Sequence, residues 1–216
     1  MKSLEGSMNG SNFICITGPD GSGKSTAIEG VYQRLTEEKK LRVAKVSIWD
    51  MLLDPATRGK VGFKSKAELD QFFTILHPVA RSLFLFHCIY QALHMASQKS
   101  ADLYLIDSYW YKYYATEIAH GADQDALESI TAIFPQPRLT FYLDVDTGET
   151  SRRKETISGY ESGFSSGAKG SFVEFQKTAA ASLEALRQRY GWITIPGAKS
   201  PVEVQEEIVS RISEVF

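Results

Sequence analysis

The sequence predicts a three-layer α/β domain, a mostly parallel sheet with helices on both faces. Three observations predict it. Five short apolar runs alternate with helical segments along the chain, the order that parallel strands with crossover helices require. The runs are continuously apolar rather than alternating, as strands buried on both faces are. The first run leads directly into the stretch GPDGSGKST, Gly18 to Thr26, and then into a helical pattern. Strand, glycine-rich loop and helix in that order are the context of a phosphate-binding loop.

The predicted strands are Phe13–Thr17, Val43–Ser47, Leu103–Asp107, Thr140–Val145 and Trp192–Ile195. The first helix starts in the loop and runs to about Lys39. Ala67–Leu76 is the second. Pro78 suits the first turn of a third, which ends near Gln98 and carries Leu83, Phe84, Phe86, Ile89, Tyr90 and Leu93. That helix is apolar nearly all round, which predicts that much of it is buried. Ser108–Ala119, Asp123–Phe134, Thr147–Lys154, Ser171–Tyr190 and Pro201–Val215 complete the helical set. Ile157–Gly170 reads ISGYESGFSSGAKG. Its glycines and serines suit either a surface linker or a mobile lid over bound phosphates, and its place between two late helices favours the lid.

In the loop, Gly18, Gly21 and Gly23 permit positive φ and close backbone approach. Pro19, Asp20, Ser22 and Thr26 share the turn whose N–H groups would cradle phosphate oxygens. Lys24 would set its ammonium against the β- and γ-phosphates of a nucleoside triphosphate, and Ser25 would offer its hydroxyl to Mg²⁺. Asp20 is costly beside triphosphate unless it faces something else, such as a sugar hydroxyl of an acceptor; otherwise it shapes the turn. Asp107 ends an apolar strand, and strand C-termini of an open parallel sheet converge on the ligand crevice. It would hold Mg²⁺ through water or orient an acceptor phosphate, or simply cap the next helix.

Arg152, Arg153 and Lys154 follow Asp144-Val145-Asp146. A guanidinium there would stack on adenine or neutralise transferred phosphate, although adjacent side chains on a helix cannot all point one way. Arg81 sits on the apolar third helix and needs an anionic or polar partner. Phe84, one turn on, would stack on a base or fill the core. His77, His87, His94 and His120 lack metal-ligand spacing. Asn9 and Asn12 are the chain's asparagines, and both precede the loop, so a guanine-reading N-K-x-D motif is impossible.

Composition sets outer bounds. The chain has 216 residues, 43% of them hydrophobic, and a formal net charge of -2. One packed domain with a lid fits these values, and the charge gives no general pull toward nucleic acid or membrane. No run reaches the ~18 apolar residues of a membrane span. Cys15 and Cys88 lie in separate apolar segments, which suits buried thiols in a reducing cytoplasm. Residues 1–11 are Gly/Ser-rich and are expected to be a flexible leader or expression remnant outside the fold, leaving residues 12–216 as the domain.

Taken together, these segments resemble the thymidylate kinase family, whose members make dTDP from dTMP and ATP. The resemblance covers about residues 12–214. GPDGSGKST is similar to the family loop, including the acidic residue at its third position. DSYWYKYYA from Asp107 resembles the family's D-R-[YFH]-x-x-S-x-x-A, PRLTFYLDVDTGETSRRK from Pro137 its P-D-L-T-x-x-L-D-V segment and following Arg, and GYESG from Gly159 its R-Y-E-x-G lid. The resemblance implies a P-loop NTPase fold with a five-stranded parallel sheet, nucleotide substrates, ATP with Mg²⁺, and a homodimer. It places Asp20 on the acceptor 3′-hydroxyl, Phe84 on its base, Asp107 beside Mg²⁺ and the acceptor phosphate, Arg153 near adenine, and Tyr160 over the acceptor. Four cations of the family pattern are absent from their expected places. The DR pair is Asp107-Ser108, with Arg58 a substitute for the arginine expected after the second strand. Cys88 stands where an arginine would read thymine. The loop carries Ser22 and the lid only Lys169 where members carry a catalytic arginine. These gaps leave two alternatives open: another small-molecule or nucleoside acceptor, or a weakly active nucleotide-binding regulator.

Overall fold

The structure is a computed structural model that describes residues 12–53, 63, 65–153, 157–164 and 169–216, with backbone alone at 52, 53, 66, 153, 169 and 170. The leader, Arg58, Lys154 and residues 165–168 of the expected lid lie outside the described residues.

Five strands form one sheet in the order β2-β3-β1-β4-β5. They are β1 (Phe13–Thr17), β2 (Val43–Val46), β3 (Leu103–Asp107), β4 (Leu139–Asp144) and β5 (Ile193–Pro196). Every pairing is parallel, with Ile14 of β1 opposite Leu105 of β3 and Leu139 of β4. Strand parity divides the core in two. Ile14, Ile16, Leu103, Leu105, Phe141 and Leu143 point to one face, where they meet Ala27, Ile28, Val31 and Leu35 of one helix and Ile208, Val209 and Ile212 of another. Phe13, Cys15, Tyr104, Ile106 and Tyr142 point to the other face and a larger, aromatic-rich cluster. This is why the runs read as continuously apolar: both pleat directions are covered. Each such aliphatic or aromatic burial is worth about 1.5–3 kcal/mol.

The helices are α1 (Lys24–Glu37), α2 (Ile48–Leu53), α3 (Lys66–Ile75), α4 (Pro78–Ser97), α5 (Tyr109–Ala119), α6 (Gln124–Thr131), α7 (Thr147–Arg153), α8 (Lys169–Tyr190) and α9 (Pro201–Ser213). The boundaries differ from the sequence expectation by a few residues at several ends, most at α6. There Asp123 is the cap, its side chain accepting from Ala126 N–H, and the helix stops at Thr131. The other difference in kind is α2, which carries no helical signature because its six residues are too few to show a period. It is started locally: Asp50 accepts from Ser47 N–H at 2.8 Å, and Ser47 Oγ from Trp49 N–H. α9 begins with a complete capping box between Ser200 and Glu203 and has Pro201 in its first turn, each of which satisfies or removes an orphan donor. α4 is buried along most of its surface but leaves Leu83 and Tyr90 exposed. No described helix is long and apolar enough to cross a membrane.

Candidate active site

Parallel strands deliver their C-termini to one edge of the sheet, and a cleft opens there. It has a volume of about 670 Å³ and runs from Trp49 and Glu161 at one end, past the Gly18–Thr26 loop, to Lys199 and Val204 at the other.

The loop has the conformation its glycines permit. Gly18, Gly21 and Gly23 all have positive φ. At Gly21 the constraint is double: φ is 85°, and an added Cβ would lie 2.7 Å from the Thr150 carbonyl oxygen. Any side chain would push α7 off the loop. Gly23 then leads into α1, whose first N–H groups and dipole face the cleft. Lys24 is buried, and its Nζ donates to the carbonyls of Gly18 at 3.0 Å and Pro19 at 2.6 Å. Ser25 and Thr26 line the cleft beside it. The Ser22 hydroxyl is buried without a protein partner.

Asp107 ends β3 and also lines the cleft. Its Oδ1 accepts from Ser108 Oγ at 2.7 Å. The next two residues, Ser108 and Tyr109, both have left-handed φ values of 64° and 55°. Such non-glycine conformations cost roughly 1–3 kcal/mol each and persist where packing over-determines them. The Tyr109 ring does so: it is 1% exposed, meets Phe13, Tyr111 and Phe134 edge-on, and donates its hydroxyl to the Pro135 carbonyl at 2.9 Å. The strained corner holds Asp107 at the cleft while turning the chain into α5. No composition or spacing signal reveals it.

One carboxylate and two ammonium groups converge where α5 meets the loop. Asp20 Oδ1 lies 2.6 Å from Lys112 Nζ and 3.8 Å from Lys24 Nζ. Burial alone would lower the Lys112 pKa, but the neighbouring Asp20 and, more weakly, Tyr113 and Glu161 outweigh it and hold the ammonium above its ordinary value. Lys112 is a cleft-lining residue that motif reading passed over, sitting at an unremarked position inside the quoted DSYWYKYYA segment. Its signal was the single charge among buried aromatics.

The expected acceptor residues divide differently. Trp49 and Tyr113 are the aromatic side chains on the main cleft wall. Phe84 is not among its lining residues; it packs in a cluster with Phe63, Phe72 and Phe73 at ring distances of 5.7–6.1 Å. Arg81 has the anionic partner its burial demands, Glu117, with Nε to Oε1 at 2.8 Å and both side chains nearly inaccessible. Its Nη1 donates to the Phe73 carbonyl. Tyr160 donates to the same Glu117 oxygen at 2.9 Å. Burial raises the Glu117 pKa while the bonds from Arg81 and Tyr160 oppose it. His120 Nε2 lies 3.0 Å from the Tyr160 carbonyl oxygen; burial and Arg81 push the imidazole down to about 4. Arg81 lines a second cleft of about 580 Å³ with His120 and Phe164, behind the main one. The stretch 157–164 is closely packed, with a 3-10 turn at Tyr160–Ser162 and both end residues buried.

At the far end, Gly197 follows β5, and an added Cβ there would stand 2.4 Å from the Asp144 carbonyl. This close approach was not foreseen. Arg153 ends α7, which packs on the loop through Thr150. Ser25 and Asp107 offer hard oxygen donors in one cleft, which suits Mg²⁺, an ion that takes one or two protein oxygens and completes its shell with phosphates and water. Among the described residues no group of three or more His, Cys, Asp or Glu could form a dedicated metal cage.

Comparison with known proteins agrees with this geometry. A family model for thymidylate kinase matches residues 16–208. The chain is similar to a thymidylate kinase of Halothermothrix orenii, at 26% identity over 93% of this chain and 95% of that protein. It is similar to one of Leptospira borgpetersenii serovar Hardjo-bovis at 25% over 94% and 92%. A protein of Saccharolobus solfataricus described as probable thymidylate kinase 1 is 23% identical over 94% and 97%.

Proposed function

This chain belongs to the thymidylate kinase family, a family of phosphotransferases that use ATP, and we propose that it converts dTMP to dTDP in the cleft built on Gly18–Thr26. A phosphate oxygen of the acceptor attacks the γ-phosphorus in line; the bond to the β,γ-bridging oxygen breaks, and ADP leaves. No proton need move when the attacking phosphate is a dianion. The protein's task is positioning and charge stabilisation. In this reading the loop N–H groups hold the β-phosphate, Lys24 turns from its carbonyl contacts to the β- and γ-oxygens, and α7 brings Arg153 toward adenine. Ser25 and Asp107 would hold Mg²⁺, which would supply charge neutralisation at the triphosphate. The carrying observation is that Asp107 of β3 and the loop after β1, with its Asp20, line one cleft.

On the acceptor side Asp20 would meet the sugar hydroxyl, and Trp49 or Tyr113 would flank the base. Phe84, Arg81 and Tyr160 would support that wall. Cys88 is buried, which leaves no guanidinium at the position where the family reads thymine. That observation favours, as a second reading, the same chemistry on another nucleoside monophosphate. A coupled ADP-release assay with ATP and Mg²⁺ decides between them. Turnover is expected with dTMP. Turnover with another monophosphate and none with dTMP overturns the acceptor, and tight ATP binding without any turnover favours a regulatory protein.

Burial raises both thiols, that of Cys88 to about 12, so neither is reactive, and a reducing cytoplasm suits them. The exposed Leu83 and Tyr90 on α4 would contribute to a homodimer face; light scattering at twice the 24.1 kDa chain mass is the expected result.

A further inference from the structure

Lys112 is the one charged residue among the first two turns of α5, surrounded by Tyr109, Trp110, Tyr111, Tyr113 and Tyr114, all buried. Its neighbours go to the core; its ammonium goes to the cleft, with the side chain 19% exposed. The cleft is also lined by three carboxylates, Asp20, Asp107 and Glu161. A phosphate dianion entering among them meets repulsion unless a cation faces it. Among the described residues the cleft's lysines are Lys24, Lys112 and Lys199. Lys24 belongs to the donor loop, and Lys199 pairs with Glu207 at the opposite end. Lys112 comes from a different element and approaches Asp20 from across the cleft.

We propose that Lys112 binds the acceptor phosphate. This rests on the kinase reading above. The ammonium is a compact point charge with three donors; one is directed to Asp20, and the others are available to phosphate oxygens. It would do from within α5 what the related segment assigns to the arginine beside its aspartate, where this chain has the buried Ser108. The Asp20 contact keeps the ammonium charged and aimed, so the pair links the group facing the acceptor sugar to the group facing its phosphate.

The test is equilibrium binding to protein saturated with ADP and Mg²⁺, using inorganic phosphate, dTMP and thymidine as probes, together with steady-state turnover. Lys112→Met is expected to weaken inorganic phosphate and dTMP by at least about tenfold, since a charge-assisted contact is lost. Thymidine affinity should stay within about twofold by the same argument, because it lacks the phosphate. Lys112→Arg, which keeps the charge, should restore most of the phosphate affinity. Turnover of dTMP by Lys112→Met should fall by about 10²-fold. Equal losses for dTMP and thymidine would make Lys112 a structural counter-ion of Asp20 and overturn the proposal, as would undetectable phosphate binding by the unaltered protein. Phosphate binding that depends on Lys112 without turnover of any nucleoside monophosphate would sink the dTMP reading and leave Lys112 standing. Turnover of dTMP indifferent to Lys112→Met would do the reverse.

Discussion

The donor wall of the cleft takes its polar groups from one continuous stretch, Gly18–Thr26, while the opposite wall gathers Trp49 from α2, Asp107 from the end of β3, Lys112 and Tyr113 from α5, and Glu161 from the turn before α8. The first wall is held by contacts of short range, such as Lys24 on the carbonyls of Gly18 and Pro19. The second is held from behind by a buried long-range network in which Glu117 receives both Arg81 and Tyr160. A phosphate cradle can therefore be carried intact by a local motif. On the proposed function acceptor recognition would be distributed, so that one substitution in it could be answered by a residue on another turn or element. The arginine missing beside Asp107 and the presence of Lys112 both fall on the distributed side.

The largest expected effect tests the local wall. Lys24→Ala should lower turnover by roughly 10³-fold with the fold retained by thermal melting. A loss below tenfold would break the assignment of the loop. The distributed wall should fail in another way. Arg81→Met leaves the buried Glu117 without its guanidinium and should cost about 3–5 kcal/mol, a melting temperature lower by roughly 10 °C for a chain of this length. ATP affinity of the folded fraction should hold; a parallel loss of ATP binding would show that the two walls are not separable.

A smaller effect appears with pH. Folding lowers the His120 value from 6.5 to about 4, so between those values the unfolded chain binds a proton that the folded chain does not. Stability should fall as pH drops through this window and level off below it, by about 2 kcal/mol after allowance for partial exposure. Arg81, Glu117 and the Tyr160 carbonyl face the imidazole network. Glu117, whose pKa is raised, has the opposite sign, since its folded carboxyl takes up a proton more readily as pH falls. His120→Phe should therefore flatten or reverse the slope measured by denaturant midpoints from pH 7 to 4. An unchanged slope would remove His120 from the account. The smallest effect lies remote from the acceptor wall. Ser200→Ala breaks the α9 capping box and should cost about 1 kcal/mol, seen in urea melts with dTMP KM unaltered.

Much of the fold was legible for a definable reason. Strand burial on both faces writes continuous apolar runs, and the parity of Ile14 and Ile16 against Phe13 and Cys15 then assigns the two cores. Pro78 and Pro201 mark helix starts because proline loses nothing in a first turn. α2 was missed because a six-residue helix stabilised by Ser47 and Asp50 has no periodicity to detect. In the site, Asp107 was legible as a strand-terminal carboxylate. The left-handed corner at Ser108 and Tyr109 was not, since it is sustained by the packing of Phe13 and Phe134 on a tyrosine ring. Phe84 shows the converse limit: position along α4 made it a stacking candidate, while packing against Phe72 and Phe73 decided its neighbours.

By itself, then, the sequence determined the alternating α/β order, the phosphate loop and the strand that presents Asp107, because each depends on residues adjacent in the chain whose backbone geometry glycine, proline or continuous apolarity dictates. Only the tertiary structure decided that Lys112 meets Asp20, that Glu117 neutralises Arg81, and that Trp49 and Tyr113 form the aromatic wall. Those pairings join elements far apart in sequence, and their strength comes from burial, which no local pattern specifies.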